Sequence, residues 1–448
     1  MQKDKIFIQI ASYRDPQLVP TVKDCISNAK WPENLHFCIA WQHSDDEKID
    51  EIACLPNVTI IDIPYLDSKG ACWARNQIQK RYKEEEYTLQ LDSHHRFVKN
   101  WDELVIGMYK DLQSKGYPKP LLTSYIPSFD PDNDPGARIQ DPWRMDFDRF
   151  IPEGAVFFLP ATIDDWRERD LPVPSRFYSA HFCFTSGQFC KEVPHDPEYY
   201  FHGEEISIAV RAFTWGYDLF HPHRVVAWHE YTRKGRAKHW DDHVGENVNK
   251  TQDKKDWGIR NSNCHSRNRK LFSMDGESYE SVEWGPYGFG PYRTLRDYEK
   301  YAGLHFKKRA IQKETLDKVY PPNSWHKYPN EEAWAQSFMC IFRHCIDLQP
   351  FQIPEKDYEF WCVAFEKADG TVINRKDAYK EELEAIIADG LNPNGDKYMK
   401  LWREFTTEEK PHHWVVWPYS KSKGWCERIV GNRSEEHTSE LQSRFGIS

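Results

Sequence analysis

Four short apolar runs near the start of the chain, IFIQIAS (6–12), LHFCIAWQ (35–42), VTIIDIP (58–64) and YTLQL (87–91), are strand-length and rich in β-branched and aromatic residues. Between them lie segments of helical character. Leu18, Val22 and Ile26 recur at spacings of four behind Pro16, and residues 71–86 read as a helix leading into the fourth run. A helix over 102–115 and the strand LLTSYI (121–126) continue the alternation. Such alternation predicts an α/β fold, a mostly parallel central sheet with helices on both faces. Ligands in these sheets gather beyond the carboxyl ends of the strands. The informative places are therefore Ser12 to Asp15, Asp62 to Lys69 and Asp92 to Arg96.

Past residue 126 the order loosens. The stretch FDPDNDPGARIQDPWRMD (129–146) is too long for a simple connector, which makes it a functional lid or a disordered insertion. Residues 154–163 and 177–189 read as strands. A helix after His202 carries Ile206, Ala209, Val210 and Phe213 on one face and stops at Gly216, and a strand then ends at His229. Residues 233–292 are polar and aperiodic, and read as loop before a helix near Thr294 to Ala302. Beyond Pro321 the texture changes: a helix over 332–346, two strand segments about Asp369-Gly370, a helix over 376–389 and a strand over 414–419. The expected organisation is a first domain over 1–313 and a small α+β or β-rich module of unknown role over 314–432. The tail RSEEHTSELQSRFGIS (433–448) resembles read-through of a sequencing adapter. It is not expected to belong to the fold, and the natural C-terminus is expected to be missing.

A net charge of −10 repels phosphate backbones and anionic lipid, so no nucleic-acid partner is expected. One basic stretch, RKGRAKH (233–239), is either a solvated loop or a grip for a single diphosphate. No apolar run approaches membrane-spanning length. The first residues are too short and too charged for a signal peptide. Eleven cysteines without CxxC pairs point to reduced thiols, and hence to the cytoplasm.

In an extended chain, residues i and i+2 share a face, so Asp92 and His94 project together beyond YTLQL, and Arg96 with them, while His95 faces away. One oxygen and one imidazole nitrogen make half of a divalent-metal site. The letters alone are weak, for Asp241 and His243 repeat them in the loop WDDHV. The first pair stands out because it follows a strand where such sheets place ligands. His229, also at a strand end, is either the third ligand or a histidine merely satisfied there. Glu204 and Glu205 open a helix, where the macrodipole favours acids. They either cap it or hold an acceptor hydroxyl. Arg14 and Arg75 lie near strand and helix ends and either grip phosphate or ribose oxygens or form salt bridges. Gly70 permits close backbone approach. No Walker loop, GxSxG, GxGxxG after the first strand or HExxH is present.

Four motifs in order, ASYRDP (11–16), KGACWAR (69–75), LQLDSHHRFVKNWD (89–102) and FHGEEISIAVRAFTWGYDLFHP (201–222) followed by WHEY (228–231), resemble glycosyltransferase family 60. These are cytosolic polypeptide N-acetylglucosaminyltransferases that modify hydroxyproline, and the resemblance runs from Lys5 to Phe306. It implies a GT-A fold and a transfer of N-acetylglucosamine from UDP-GlcNAc to a hydroxyl of a polypeptide or glycan, with retention of configuration. It further implies Mn²⁺ held by the DXD-like motif Asp92-Ser93-His94 together with His229. Ser12, Tyr13, Arg14 and Asp15 would line the nucleoside pocket, and Gly70 and Arg75 would approach the donor. Glu204 and Glu205 would position the acceptor, and the basic loop after His229 would fold over the diphosphate. The rival expectations are a metal-dependent hydrolase of nucleotide sugars and a non-catalytic sugar-binding or scaffold protein.

Overall fold

Strands β1 (Ile6–Tyr13), β2 (Leu35–His43), β3 (Val58–Pro64) and β4 (Tyr87–Leu91) lie parallel, in the order β3-β2-β1-β4, in the computed structural model of the chain. The structure describes residues 4–151, 153–232, 235–251, 253–355, 357–379, 381–383, 399–407 and 411–432. They fall into two units. The first reaches Lys307 and includes Glu314–Tyr328, and the second takes Lys308–Lys313 and Pro329 onward.

The remaining strands of the first unit are β5 (His95–Phe97), β6 (Pro120–Thr123), β7 (Trp143–Phe150), β8 (Val156–Thr162), β9 (Val173–Pro174), β10 (Phe182–Ser186), β11 (Asp218–His221), β12 (Ala227–His229) and β13 (Leu304–His305). Its helices include α1 (Leu18–Asn28), α2 (Asp50–Ala53), α3 (Ala71–Gln79), α4 (Trp101–Ser114), α5 (Phe189–Glu192), α6 (Glu204–Thr214), α7 (His239–Asp242), α8 (Trp257–Leu271) and α9 (Leu295–Ala302). The main sheet extends to β3-β2-β1-β4-β10-β6-β11-β9, with β10 antiparallel to both of its neighbours. Helices cover both faces, so β4 is buried along its whole length and its sequence is apolar at most positions. The main core packs Ile8, Ile10, Leu89 and Leu91 of the sheet against Val22 and Trp101 of the helices. The expected α/β class with a mostly parallel sheet is what forms. No helix among the described residues is long and apolar enough to cross a membrane.

Several boundaries differ from the sequence expectation. The helix expected over 71–86 stops at Gln79, and the strand expected over 177–189 shrinks to β10. The Pro- and Asp-rich stretch ends in an ordered β7–β8 hairpin rather than continuing as a loop. The polar stretch expected to be loop contains the fifteen-residue α8. That helix is polar around most of its circumference, so it lacks an apolar period, and Asp256 caps it by accepting from the Ile259 N–H.

The second unit is built mainly of antiparallel strands. Phe338–Leu348 pairs with Met399–Thr407, and Tyr358–Glu366 pairs with Val372–Arg375 and His413–Ser420. The helix expected over 332–346 is helical only over Glu331–Gln336. Apolar residues at 334, 338, 341, 342 and 345 fit a helical period, but a full-length partner strand wins. Of the helix expected over 376–389, Ala378–Tyr379 is a strand and residues 384–389 lie outside the described residues, as does the tail 433–448. Trp361, Val363, Phe365 and Val416 form this unit's core with Ile346 and Leu401.

Candidate active site

The main strand β4 ends at Leu91 and β5 begins at His95, so Asp92-Ser93-His94 lies between the two strands, with a bend at Ser93. Thr21 of α1, wholly buried, holds it. Its hydroxyl donates to the Ser93 carbonyl at 2.9 Å and accepts the His95 N–H at 2.8 Å. Strand parity is therefore not what brings Asp92 and His94 together. Parity also misplaces their neighbours: Arg96 turns away to Gln17 and stacks over Phe129. His95, expected to face away, donates from Nδ1 to the Asp92 carbonyl, and its ring lies 4.9 Å from that of His229.

His229 arrives because β12 pairs antiparallel with β5, setting it opposite His95. Asp92, His94 and His229 then each offer one ligand atom within 4.8 Å of the others, the only such group of three among the described residues. Asp92 Oδ2 is 3.5 Å from His229 Nε2 and 3.8 Å from His94 Nε2. Burial would raise the Asp92 carboxyl, but His229 and the Arg75 guanidinium beside it hold it well below the usual carboxylate range. Burial, aided by His181 and His94, pushes His229 well below the usual imidazole range and keeps it neutral. Neither ring nitrogen of His229 finds a hydrogen-bond partner among the described residues. A buried imidazole left unpaired costs free energy unless something takes its lone pair. Two imidazoles and a carboxylate fit a divalent cation.

Arg75 on α3 is 4 % exposed. It donates to Asp92 Oδ1 at 2.8 Å and lies 3.9 Å from Glu204 Oε1, joining the two carboxylates. Glu205 spends both oxygens inside the fold, accepting from the Ala180 N–H at 2.9 Å and the Tyr125 hydroxyl at 3.1 Å. Burial raises both acids, and for Glu205 the neighbouring Glu204 charge adds to it. Gly70, just before α3, has φ of +107°, and a Cβ there would sit 2.9 Å from the Tyr200 ring. Gly70→Ala is expected to lose on the order of 1–3 kcal/mol of stability, read as a lower denaturant midpoint at unchanged m-value.

At the end of β1, Tyr13 donates its hydroxyl to Asp242 Oδ2 at 2.8 Å, and Arg14 Nη1 meets both oxygens of that carboxylate at 2.8 and 2.9 Å. The Arg14 guanidinium also lies over the Tyr65 ring. The Ser12 hydroxyl is buried with no hydrogen-bond partner among the described residues. Asp15 sits against the bend at Ser93. Its Oδ2 accepts from Ser93 Oγ at 2.7 Å and Arg236 Nη1 at 3.2 Å and meets His94 Nδ1 at 2.7 Å, while Oδ1 accepts the Gln17 N–H. Arg236 comes from the basic loop, whose residues 233 and 234 lie outside the described residues.

Among the described residues, the second Asp-x-His pair belongs to no metal cluster. His243 bonds the Tyr65 carbonyl and stacks on His239. Sequence reasoning missed Thr21, Asp242 and the part played by His181. The His181 ring stacks on His229 at 4.2 Å and its Nε2 accepts the Ile126 N–H. None of the three carries a motif, and only their long-range partners reveal them.

A family model described as Glycosyltransferase (GlcNAc) matches residues 5–55 and 50–308. No curated protein matches the chain. Among solved structures it is similar to S. aureus TarS 1-349, at 11 % identity over 51 % of this chain and 60 % of that one, with a TM-score of 0.34. It is also similar to GalNAc-T7 solved with UDP, GalNAc and Mn2+, at 13 % identity over 96 % and 79 % with a TM-score of 0.43. A third is the mannosyltransferase PcManGT from Pyrobaculum calidifontis in complex with GDP-Man and Mn2+, at 9 % identity over 53 % and 59 % with a TM-score of 0.32. The chain spans about three fifths of the TarS 1-349 structure it matches. The family match runs from β1 past the Asp92, His94 and His229 cluster to residue 308, and the chain belongs to the Glycosyltransferase (GlcNAc) family.

Proposed function

We propose that the protein transfers N-acetylglucosamine from UDP-GlcNAc to a hydroxyl of a polypeptide or glycan, with retention of configuration and with Mn²⁺ or a similar divalent ion. The cytoplasm is the proposed compartment. The observation that carries this reading is the cluster of Asp92, His94 and His229 beyond the carboxyl end of β4, where α/β sheets bind nucleotides, in a chain of this family. The resemblance to family 60 favours a hydroxyproline-bearing polypeptide as acceptor.

A divalent cation held by these three residues supplies the positive charge that stabilises a departing diphosphate. Arg75 keeps Asp92 ionised and correctly turned, and Gly70 lets the Tyr200 ring pack against the start of α3. Tyr13, Arg14 and the buried Ser12 hydroxyl stand at the end of β1, where the nucleoside is proposed to bind. Glu204 is the carboxylate proposed to accept a hydrogen bond from the acceptor hydroxyl, because Glu205 is already committed to Ala180 and Tyr125. Glu205 fixes the first turn of α6 that presents Glu204.

Purified protein with Mn²⁺ is expected to hydrolyse UDP-GlcNAc slowly and to transfer the sugar faster when a hydroxyproline peptide is supplied. Undiminished turnover in EDTA would refute the metal-dependent reading. Rapid donor hydrolysis that acceptors leave unchanged would identify a hydrolase instead.

A further inference from the structure

We infer that Asp15 is a positioning residue for the metal site: it fixes the tautomer and orientation of His94 so that the Nε2 lone pair faces the ion. The inference rests on the metal-site reading above and gives Asp15 a task other than lining the nucleoside pocket.

Asp15 is 6 % exposed, and its carboxylate accepts from the Ser93 hydroxyl, the Arg236 guanidinium and the Gln17 N–H. Three donors already point at it, so it serves as an acceptor. The nitrogen of His94 that meets it at 2.7 Å must then be the one bearing hydrogen. With the proton on Nδ1, the free lone pair of His94 is on Nε2, the atom 3.8 Å from Asp92 Oδ2. A carboxylate hydrogen-bonded to the far nitrogen of a ligating histidine sets ring orientation and makes the imidazole a better donor.

Arg236 extends this support to the third ligand. Its second terminal nitrogen lies 2.9 Å from Glu230 Oε2, and the Glu230 N–H donates to the His94 carbonyl at 3.1 Å. Asp15 and Arg236 thereby tie the segment carrying His94 to the residue that follows His229. A purely structural Asp15 would need only Ser93 and Gln17, and the short bond to His94 Nδ1 would be incidental.

The test measures Mn²⁺ affinity of the whole protein without donor, by the electron paramagnetic resonance of free Mn²⁺, for the wild type, Asp15→Ala, Asp15→Asn and His94→Ala. Asp15→Ala is expected to weaken Mn²⁺ binding by roughly 10- to 100-fold. Asp15→Asn keeps an oxygen for the Nδ1–H but loses the charge, and is expected to fall between Asp15→Ala and the wild type. Thermal melting without metal reports any loss of fold separately, and if Asp15→Ala does not fold, Asp15→Asn decides. Wild-type Mn²⁺ affinity in folded Asp15→Ala, or in Asp15→Asn where that variant decides, while His94→Ala loses it, overturns the positioning role. Wild-type affinity in His94→Ala overturns the metal site itself.

Discussion

Asp92→Ala is expected to reduce sugar transfer by roughly 10³-fold, because the charge stabilisation supplied at a metal site amounts to several kcal/mol and each 1.36 kcal/mol is a factor of ten in rate. The alanine variant also strands the buried Arg75 guanidinium 2.8 Å from a missing carboxylate. Leaving a buried charge unpaired costs on the order of 3–5 kcal/mol of stability, so part of any loss would reflect unfolding. Asp92→Asn separates the two effects. It keeps an oxygen toward Arg75 and removes the anionic ligand, so the protein should remain folded while Mn²⁺ binding and transfer fall together. Retained transfer by folded Asp92→Asn at wild-type Mn²⁺ affinity would remove Asp92 from the site.

Glu204→Gln is expected to lower kcat/KM for the acceptor by roughly 10²-fold, the scale on which misplacement of a reacting group acts, while slow donor hydrolysis without acceptor persists. Burial, offset in part by Arg75, raises the Glu204 carboxyl above its ordinary value of 4.5. Between that value and the raised one, the folded chain holds a proton that the unfolded chain has released. The stability associated with this site is therefore complete below pH 4.5 and is lost as pH rises through the folded value. Acceptor use runs the other way. If Glu204 holds the acceptor as proposed, its ionised form accepts the hydroxyl's hydrogen bond, so transfer should climb with pH through a limb above the normal carboxylate range. Glu204→Gln should flatten that limb. Glu205→Gln offers the contrast: it disturbs the bonds to Ala180 and Tyr125 and should cost about 1–3 kcal/mol of stability, seen as a lower melting temperature. A flat wild-type pH profile, or equal kinetic losses in both variants, would contradict this division of labour.

The alternation of strand and helix was legible because a parallel strand covered on both faces must be apolar at most positions, and β1, β2 and β4 are. Local pattern failed where partners decided. α8 lacks an apolar period, and Phe338–Leu348 became a strand because Met399–Thr407 lies beside it. Asp92 and His94 were found for a sound positional reason, the end of a strand in an α/β sheet. Their expected projection to one side held, but the strand parity offered for it did not extend to His95 and Arg96: the chain bends at Ser93, which Thr21 holds, and Arg96 goes to Gln17.

By itself the sequence determined the sheet class and the strand ends at which chemistry gathers, and it offered Asp92, His94, His229, Glu204 and Glu205 as candidates. Position after an apolar run singled out Asp92 and His94, whereas the residues alone left His229, Glu204 and Glu205 open and only the family resemblance gave them roles. Only the tertiary structure decided that His229 meets Asp92 through the pairing of β12 with β5, that Arg75 bridges Asp92 to Glu204, that Glu205 is spent on the fold, and that Asp15 bonds His94. Those contacts join residues far apart in the chain. Hydrogen bonding and burial depend on which side chains arrive together, and no local period in a sequence records that.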